Sequence, residues 1–136
     1  RLFNAYGPGQ GPGYFIPDQI EKAKAGKINL TGSNVTKDWV YVENVADAFV
    51  RALTTDFCGA INIGSGIETE LGTIARFISE AYKAELRCNP IENPSRMCAD
   101  WSRAKNILGW HPAVDLEHGI GNILNATMRT VTPVPQ

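Results

Sequence analysis

Cysteine, histidine and glycine are the residues of this chain whose types most readily carry chemistry, and their spacing excludes most of it. Cys58, Cys88 and Cys98 are odd in number and form no Cys-x-x-Cys pair, which fits neither a disulfide framework nor a zinc knuckle. They read as reduced thiols and imply a cytoplasmic protein. His111 and His118 stand seven residues apart without a partner at ligand spacing, the pattern of surface or capping histidines rather than of a metal site. Gly7, Gly9, Gly11 and Gly13 recur at every second residue of GPGQGPG, and the GSG at 64–66 is not completed three residues later. Neither run is a Gly-x-Gly-x-x-Gly or a phosphate loop, so the first reads as a turn. Gly-x-Ser-x-Gly and His-Glu-x-x-His are also absent, and a self-contained hydrolase or zinc enzyme finds no support.

The remaining candidates are amides and cations, and composition limits what they can serve. The chain has 136 residues, 43% of them hydrophobic, with 14 acidic against 13 basic side chains. That is one globular domain with a modest core and no charge bias. Lysines and arginines are scattered singly or in twos, unlike the basic stripe of a nucleic-acid binder. No apolar run approaches the ~20 residues of a membrane-spanning helix, and three Asn-x-Ser/Thr triplets at Asn29, Asn34 and Asn125 do not outweigh the thiols. The opening RLFNAY has no initiator Met and reads as a strand that needs neighbours before it.

Elements of opposite period alternate along the chain. Pro17 and Asp18 suit the start of a helix over about 17–25, with Gly26 as its stop. Residues 28–30 form a short strand, and the alternation in DWVYV predicts another over 38–42. Glu43 and Asn44 then act as dipole partner and cap for a helix with Val45, Ala48, Phe49, Ala52 and Leu53 inward. AINIGSG (60–66) reads as a buried strand. Thr69 caps a helix with Leu71, Ile74, Phe77, Ile78 and Ala81 inward, and residues 86–88 make a short strand. A brief helix from Asp100 or Ser102 stops at Gly109, and Asp115 caps the last helix, with Leu116, Ile120, Ile123, Leu124 and Thr127 inward. Trp39, Trp101 and Trp110 suit packing, and Asp47 and Arg51 an exposed ion pair. Residues 131–136 read as a flexible tail. The pattern is mixed α/β without an internal repeat.

Five pieces in this order carry a resemblance: R-x-x-N-x-Y-G-P (1–8), IP (16–17), KDWVYVENVADA (37–48), NIGSG (62–66), and AD-x-S-x-A-x-x-x-LGW-x-P with LE-x-GI (99–120). Together they resemble the nucleotide-sugar epimerases and dehydratases of the extended short-chain dehydrogenase/reductase family. The resemblance implies an α/β fold: a small mixed domain over 1–130 like that family's C-terminal substrate-binding lobe, with residues 1–6 similar to a late strand of the Rossmann sheet. It also implies that the N-terminal Rossmann half, which holds NAD(P) and a catalytic Tyr-x-x-x-Lys in that family, is not represented. None of Tyr6, Tyr14, Tyr41 or Tyr82 has Lys four residues later, so no catalytic or cofactor-binding residue is assigned.

Carried over residue by residue, the resemblance implies a substrate site at Asn4, Phe15, Ile16, Pro17, Leu30, Thr31, Lys37, Asn62 and Arg96. A nucleotide-diphosphate sugar offers phosphates, a planar base and hydroxyls, so cations, an apolar slot and amides suit it. Ile16 and Leu30 suit ordinary core as well, and Asn4 and Asn62 could instead fix local backbone. Lys37 departs from the arginine usual before Asp-aromatic and keeps the charge without the two-pronged grip; Arg87 competes with Arg96 for the late-arginine role. The expected function is that of a truncated homologue, inactive alone, that binds a nucleotide-diphosphate sugar. Two alternatives stand beside it. One is an enzyme half that works with a separate Rossmann partner, and the other is a homodimeric interaction module.

Overall fold

The short apolar run at the start pairs with a sequence-distant strand, and that pairing organises the chain. The computed structural model describes residues 1–129. β1 (Asn4–Tyr6) lies parallel to β3 (Thr36–Tyr41), with Asn4 opposite Trp39 and Tyr6 opposite Tyr41. On its other part β3 runs antiparallel to β4 (Glu68–Glu70), giving the sheet order β1-β3-β4. A second, two-stranded parallel sheet joins β2 (Lys27–Thr31) to β5 (Glu85–Asn89). Five helices complete the described residues: α1 (Phe15–Lys24), α2 (Val42–Ala52), α3 (Leu71–Tyr82), α4 (Ser102–Leu108) and α5 (Leu116–Arg129). The mixed α/β class expected from the alternating periods is the one observed.

Two apolar clusters lie on opposite faces of β3. Tyr6, Trp39 and Tyr41 pack with Ile16 and Ile20 of α1, Ile74 and Ile78 of α3, and Ile120 and Ile123 of α5. Val40, on the alternate face, packs with Val45 and Ala48 of α2, Ile63, Ala104 and Trp110. Period-2 alternation along DWVY therefore serves two cores at once, which is why the strand reads as continuously apolar after Asp38.

Several boundaries and faces differ from the sequence expectation. α2 begins at Val42, directly after β3, so Glu43 and Asn44 are helical residues and not caps. Only part of its predicted inward stripe is buried: Val45 and Ala48 are, while Phe49, Ala52 and Leu53 are exposed. Residues 60–66 form a loop held by one parallel bridge, Leu2 to Ile63, because their hydrogen bonds go to Arg1 and Phe3 alone on that side. Thr69 sits in β4, and α3 starts two residues later; Ala81 faces solvent. Gly26 (φ +90°) ends α1 and Gly109 (φ +58°) ends α4 as expected, but α3 ends on Lys83 in the left-handed region (φ 53°). The tail over 131–136 lies outside the described residues. Among those described, no helix is long and apolar enough to cross a membrane, and no group of His, Cys, Asp or Glu is arranged to hold a metal ion.

Candidate functional site

Strand alternation gives β3 two polar environments, one closed and one open. On the closed side Asp38 is fully buried. Its carboxylate accepts hydrogen bonds from Ser65 N (2.6 Å), Ser65 Oγ (2.9 Å), Gly66 N (2.8 Å) and Ala99 N (2.9 Å). A buried carboxylate is tolerated when donors of this kind replace its water. Asp38 thus joins three motifs, KDW, GSG and CAD, at one point. The glycines are there because backbone must come close: a Cβ on Gly64 would lie 2.9 Å from Asp38 Oδ1, and one on Gly66 would lie 2.5 Å from Trp101 Nε1.

Asn44 makes a second junction of the same sort. Its side-chain oxygen accepts from Ala113 N and Val114 N, both at 3.0 Å, and its Nδ2 donates to Val114 O at 2.7 Å. Trp110 Nε1 donates to the Asn44 carbonyl at 2.9 Å. The ENVADA and LGWHP motifs are therefore two halves of one packed joint, and Trp110 is fully buried in it, edge-on to Trp101. A third junction pairs NAYG with LEHG: the Tyr6 hydroxyl reaches the carbonyls of Asp115 and Leu116, and a Cβ on Gly119 would overlap it. Burial, then Tyr41 and Asp115, push the Tyr6 phenol well above its usual range, so it stays a donor and is not poised as an acid.

The open side of β3 carries Trp39 and, by alternation, Lys37. Beside it lies a cleft of about 630 Å³ between β1, the glycine-rich run and the start of α1, lined by Asn4, Gln10, Tyr14, Phe15 and Trp39 among others. The Phe15 and Trp39 rings pack at 5.8 Å, and Tyr14 stands exposed beside them. Asn4 donates through Nδ2 to Asp38 O at 2.8 Å and approaches Met97 Sδ at 3.6 Å, while its Oδ1 accepts no bond among the described residues. Trp39 Nε1 is buried without a partner. Aromatic faces beside an unused amide oxygen suit a planar, polar ligand.

The residues expected at the site do not all gather there. Asn4 and Phe15 line this cleft. Ile16 and Pro17 line a neighbouring recess of about 330 Å³ on the other side of the glycine-rich run, where Ile16 is almost wholly buried. Leu30 lies in the core and Thr31 is exposed at the end of β2, opposite Asn89. Lys37 is half-buried and forms no ion pair among the described residues. Asn62 donates to Asp100 O at 3.2 Å. Arg96 donates through Nε and Nη2 to Glu68, which pairs in register with Asp38, so its guanidinium is held on the side away from Lys37. Arg87 is engaged with Glu85 at 2.7 Å. Sequence reading placed Trp39 as packing; it packs, but its uncommitted N–H and its place in the cleft were not visible from spacing. Tyr14, Gln10 and Met97 also had no motif to mark them.

The glycine-rich run does not have the features of a dinucleotide loop. The glycine-rich run lacks the spacing, and a Cβ on Gly9, Gly11 or Gly13 would meet open space, unlike a loop shaped for close backbone approach to phosphate. Gly13 N donates to Asp18 Oδ1 at 2.9 Å, so a carboxylate already stands at the start of α1. The Cys98 thiol is pushed up by desolvation and then by Asp38 and Glu68, which keeps it protonated near neutrality and unsuited to nucleophilic work.

The model of the NAD dependent epimerase/dehydratase family matches residues 1–64, the stretch that holds β1, the cleft and the Asp38 strand. Over those residues the chain is similar to that family. UDP-glucuronic acid decarboxylase 6 of Arabidopsis thaliana is 30% identical over 129 residues, which are 88% of this chain and 37% of that protein. UDP-glucose 4-epimerase of Mycolicibacterium smegmatis is 35% identical over 128 residues, covering 86% and 41%. The crystal structure of UDP-glucose 4-epimerase with UDP-glucose from Thermotoga maritima superposes with a TM-score of 0.83 at 26% identity, covering 97% of this chain and 46% of that one. The chain thus spans less than half the length of these family members, and its fold is that of extended short-chain dehydrogenase/reductase epimerases over that span.

Proposed function

We propose that this chain is a substrate-binding part of a nucleotide-sugar epimerase/dehydratase, inactive by itself, that takes a nucleotide-diphosphate sugar in the cleft beside Trp39. The observation that carries this reading is the cleft itself: rings of Tyr14, Phe15 and Trp39 line a space beside Asn4, whose Oδ1 is not consumed by the fold. A base can lie against the rings and hydroxyls can meet the amide, with Lys37 as the uncommitted cation on the same side of β3. Solved relatives bind UDP-glucose and UDP-glucuronic acid, which supports this ligand class. The hydride chemistry belongs to NAD(P), and the sequence supplies neither its glycine loop nor a Tyr-x-x-x-Lys proton shuttle. Three unpaired thiols support a cytoplasmic setting.

Titration with UDP-, GDP-, CDP- and dTDP-sugars, and separately with NAD and NADP, followed by melting temperature, tests the reading. Ligand at ten times its Kd adds about 1.4 kcal/mol, a shift of roughly 5 °C for a domain of this size. A response to one sugar nucleotide with none to NAD is the expected result; silence to every sugar nucleotide overturns it. A second reading, favoured by the exposed Phe49, Val50 and Leu53 of α2, makes the chain one half of an enzyme completed by a separate cofactor-binding polypeptide, or by a second copy of itself as a dimeric module.

A further inference from the structure

The glycine-rich run reads the same in both directions: Gly-Pro-Gly-Gln-Gly-Pro-Gly over 7–13, with Gln10 at its centre. The prolines fix φ at positions 8 and 12, and a glycine stands on each side of both prolines and of Gln10, so stiff links alternate with free joints. Gly9 (φ +81°) and Gly13 (φ +88°) use that freedom in the present conformation. Both ends of the run are anchored. A Cβ on the buried Gly7 would lie 2.4 Å from Val42 Cγ1, and past Gly13 the Tyr14 carbonyl accepts from Asp18 N at 3.0 Å as α1 begins. Between the anchors little holds it. Gly9 N and Gly11 N donate no hydrogen bond among the described residues, and Pro8, Gly9, Gly11 and Pro12 are all exposed.

Hollows lie on more than one side of the run. The cleft of about 630 Å³ meets it at Gln10, Gly11 and Gly13, and the recess of about 330 Å³ meets it from Gly7 to Gln10. A third hollow of about 250 Å³ lies between the run, the end of β1 and Val42. Gln10 lines all three. Its Nε2 donates to Ala5 O at 3.2 Å, where the cleft and the third hollow share a wall, and its Oε1 accepts no bond among the described residues. A segment with few bonds, no packed side chains and open space beside it changes conformation at low free energy. A ligand biases such a segment only by touching it differently in its two positions. Gln10 supplies that difference, because one neutral bond to Ala5 O is exchangeable for bonds to a ligand, and an amide with both a donor and an acceptor matches hydroxyls that also carry both.

We propose that residues 7–13 are a strap that closes over the sugar of a nucleotide-diphosphate sugar in the cleft, with Gln10 as the residue that meets the sugar hydroxyls. The inference rests on the ligand reading above and adds to it a moving part and a specificity-determining residue. The test follows hydrogen–deuterium exchange of the peptide spanning 7–13, free and with saturating UDP-glucose, or with whichever of the GDP-, CDP- and dTDP-sugars raises the melting point. Exchange at Gly9, Gln10 and Gly11 is expected to slow about tenfold with the sugar nucleotide and to stay unchanged with UDP, which lacks the sugar. Gln10→Ala is expected to weaken UDP-glucose about tenfold while UDP affinity and melting temperature hold. At saturating UDP-glucose the same variant leaves the strap unprotected, a result that a merely structural glutamine would not give. Unchanged exchange with UDP-glucose bound overturns the strap and leaves the ligand reading standing. Equal affinity and equal protection in Gln10→Ala overturn the proposal as well, and so does protection by UDP alone. Silence to every sugar nucleotide overturns the ligand reading and the strap together.

Discussion

The two sides of strand β3 are built from the same sequence stretch and spend their polar groups in opposite ways. On one side Asp38 is buried and every donor around it is paired, as is the Asn44 amide close by. On the other, Trp39 keeps an unpaired N–H, Asn4 an unpaired oxygen, and Lys37 no counter-charge among the described residues. Neighbouring residues 37 and 38 thus differ: Asp38 is paired inside the fold, and Lys37 has no ion-pair partner among the described residues. A polar group consumed by the backbone is architecture; one left over beside a cleft is available for recognition.

The largest effect expected is on the closed side. Asp38→Ala strands the N–H groups of Ser65, Gly66 and Ala99 in the interior, at a cost of about 4 kcal/mol. Asp38→Asn keeps one good acceptor and costs about half as much. Urea denaturation reads both from the midpoint, given an unchanged slope. A loss below about 1 kcal/mol for the alanine variant would break the comparison, because Asp38 would then not be what joins the three motifs.

Gly119→Ala sets two effects against each other. Helix propensity alone favours alanine by about 1 kcal/mol, whereas a Cβ at this position overlaps the Tyr6 hydroxyl and lies 2.9 Å from Tyr41 Cδ2. Overpacking in a rigid core costs about 2 kcal/mol, so a net destabilisation is expected. Tyr6→Phe in the same chain removes the overlapping oxygen and recovers part of the loss. A stabilised single variant would mean that the NAYG and LEHG motifs meet less tightly than the structure has them.

On the open side the expectation is reversed: ligand affinity changes and stability does not. Lys37→Gln lowers sugar-nucleotide affinity about tenfold, the scale of one charge-assisted contact. Arg96→Gln has a smaller effect, because its guanidinium is exposed, held by Glu68 and turned away from Lys37. Trp39→Phe removes a buried donor with no partner in the fold and keeps an aromatic ring against Phe15, so the melting point and sugar-nucleotide binding both change little. Calorimetric titration of the three variants ranks them, and Arg96→Gln as the most damaging of them would return the late arginine to the site.

Much of this organisation was legible before folding. Asp115 as the cap of α5, Gly109 as the stop of α4, the Asp47–Arg51 pair and the class of the fold all follow from local spacing. The motifs were legible as motifs, but spacing along the chain does not say what meets what. Asn44 read as a cap because Asn precedes an amphipathic run; it is instead consumed by residues 113 and 114, a partner set 70 residues away. Phe49 and Leu53 read as core because periodicity reports which residues share a face, not whether that face is covered. Trp39's spare N–H depends on three-dimensional neighbours and had no sequence signal.

The smallest expected effect tests whether polar pairing at the surface matters at all. His118 N and Nδ1 both meet Asp115 Oδ1, at 2.9 and 2.8 Å, on the first turn of α5. The hydrogen bonds from His118 hold the Asp115 carboxyl below its usual range, and the same contact raises the His118 imidazole above its own. A raised histidine stabilises fully below its unfolded value and loses that contribution as pH climbs through the folded one; the depressed aspartate does so above its unfolded value and loses it as pH falls through its folded one. Between the two titrations the pair contributes most, so the melting point should decline slightly as pH rises past neutrality. His118→Gln should flatten that decline, and both groups are exposed, so salt should reduce it too. A steep alkaline decline that survives His118→Gln would place the pH-sensitive group elsewhere in the fold, outside the Asp115–His118 pair.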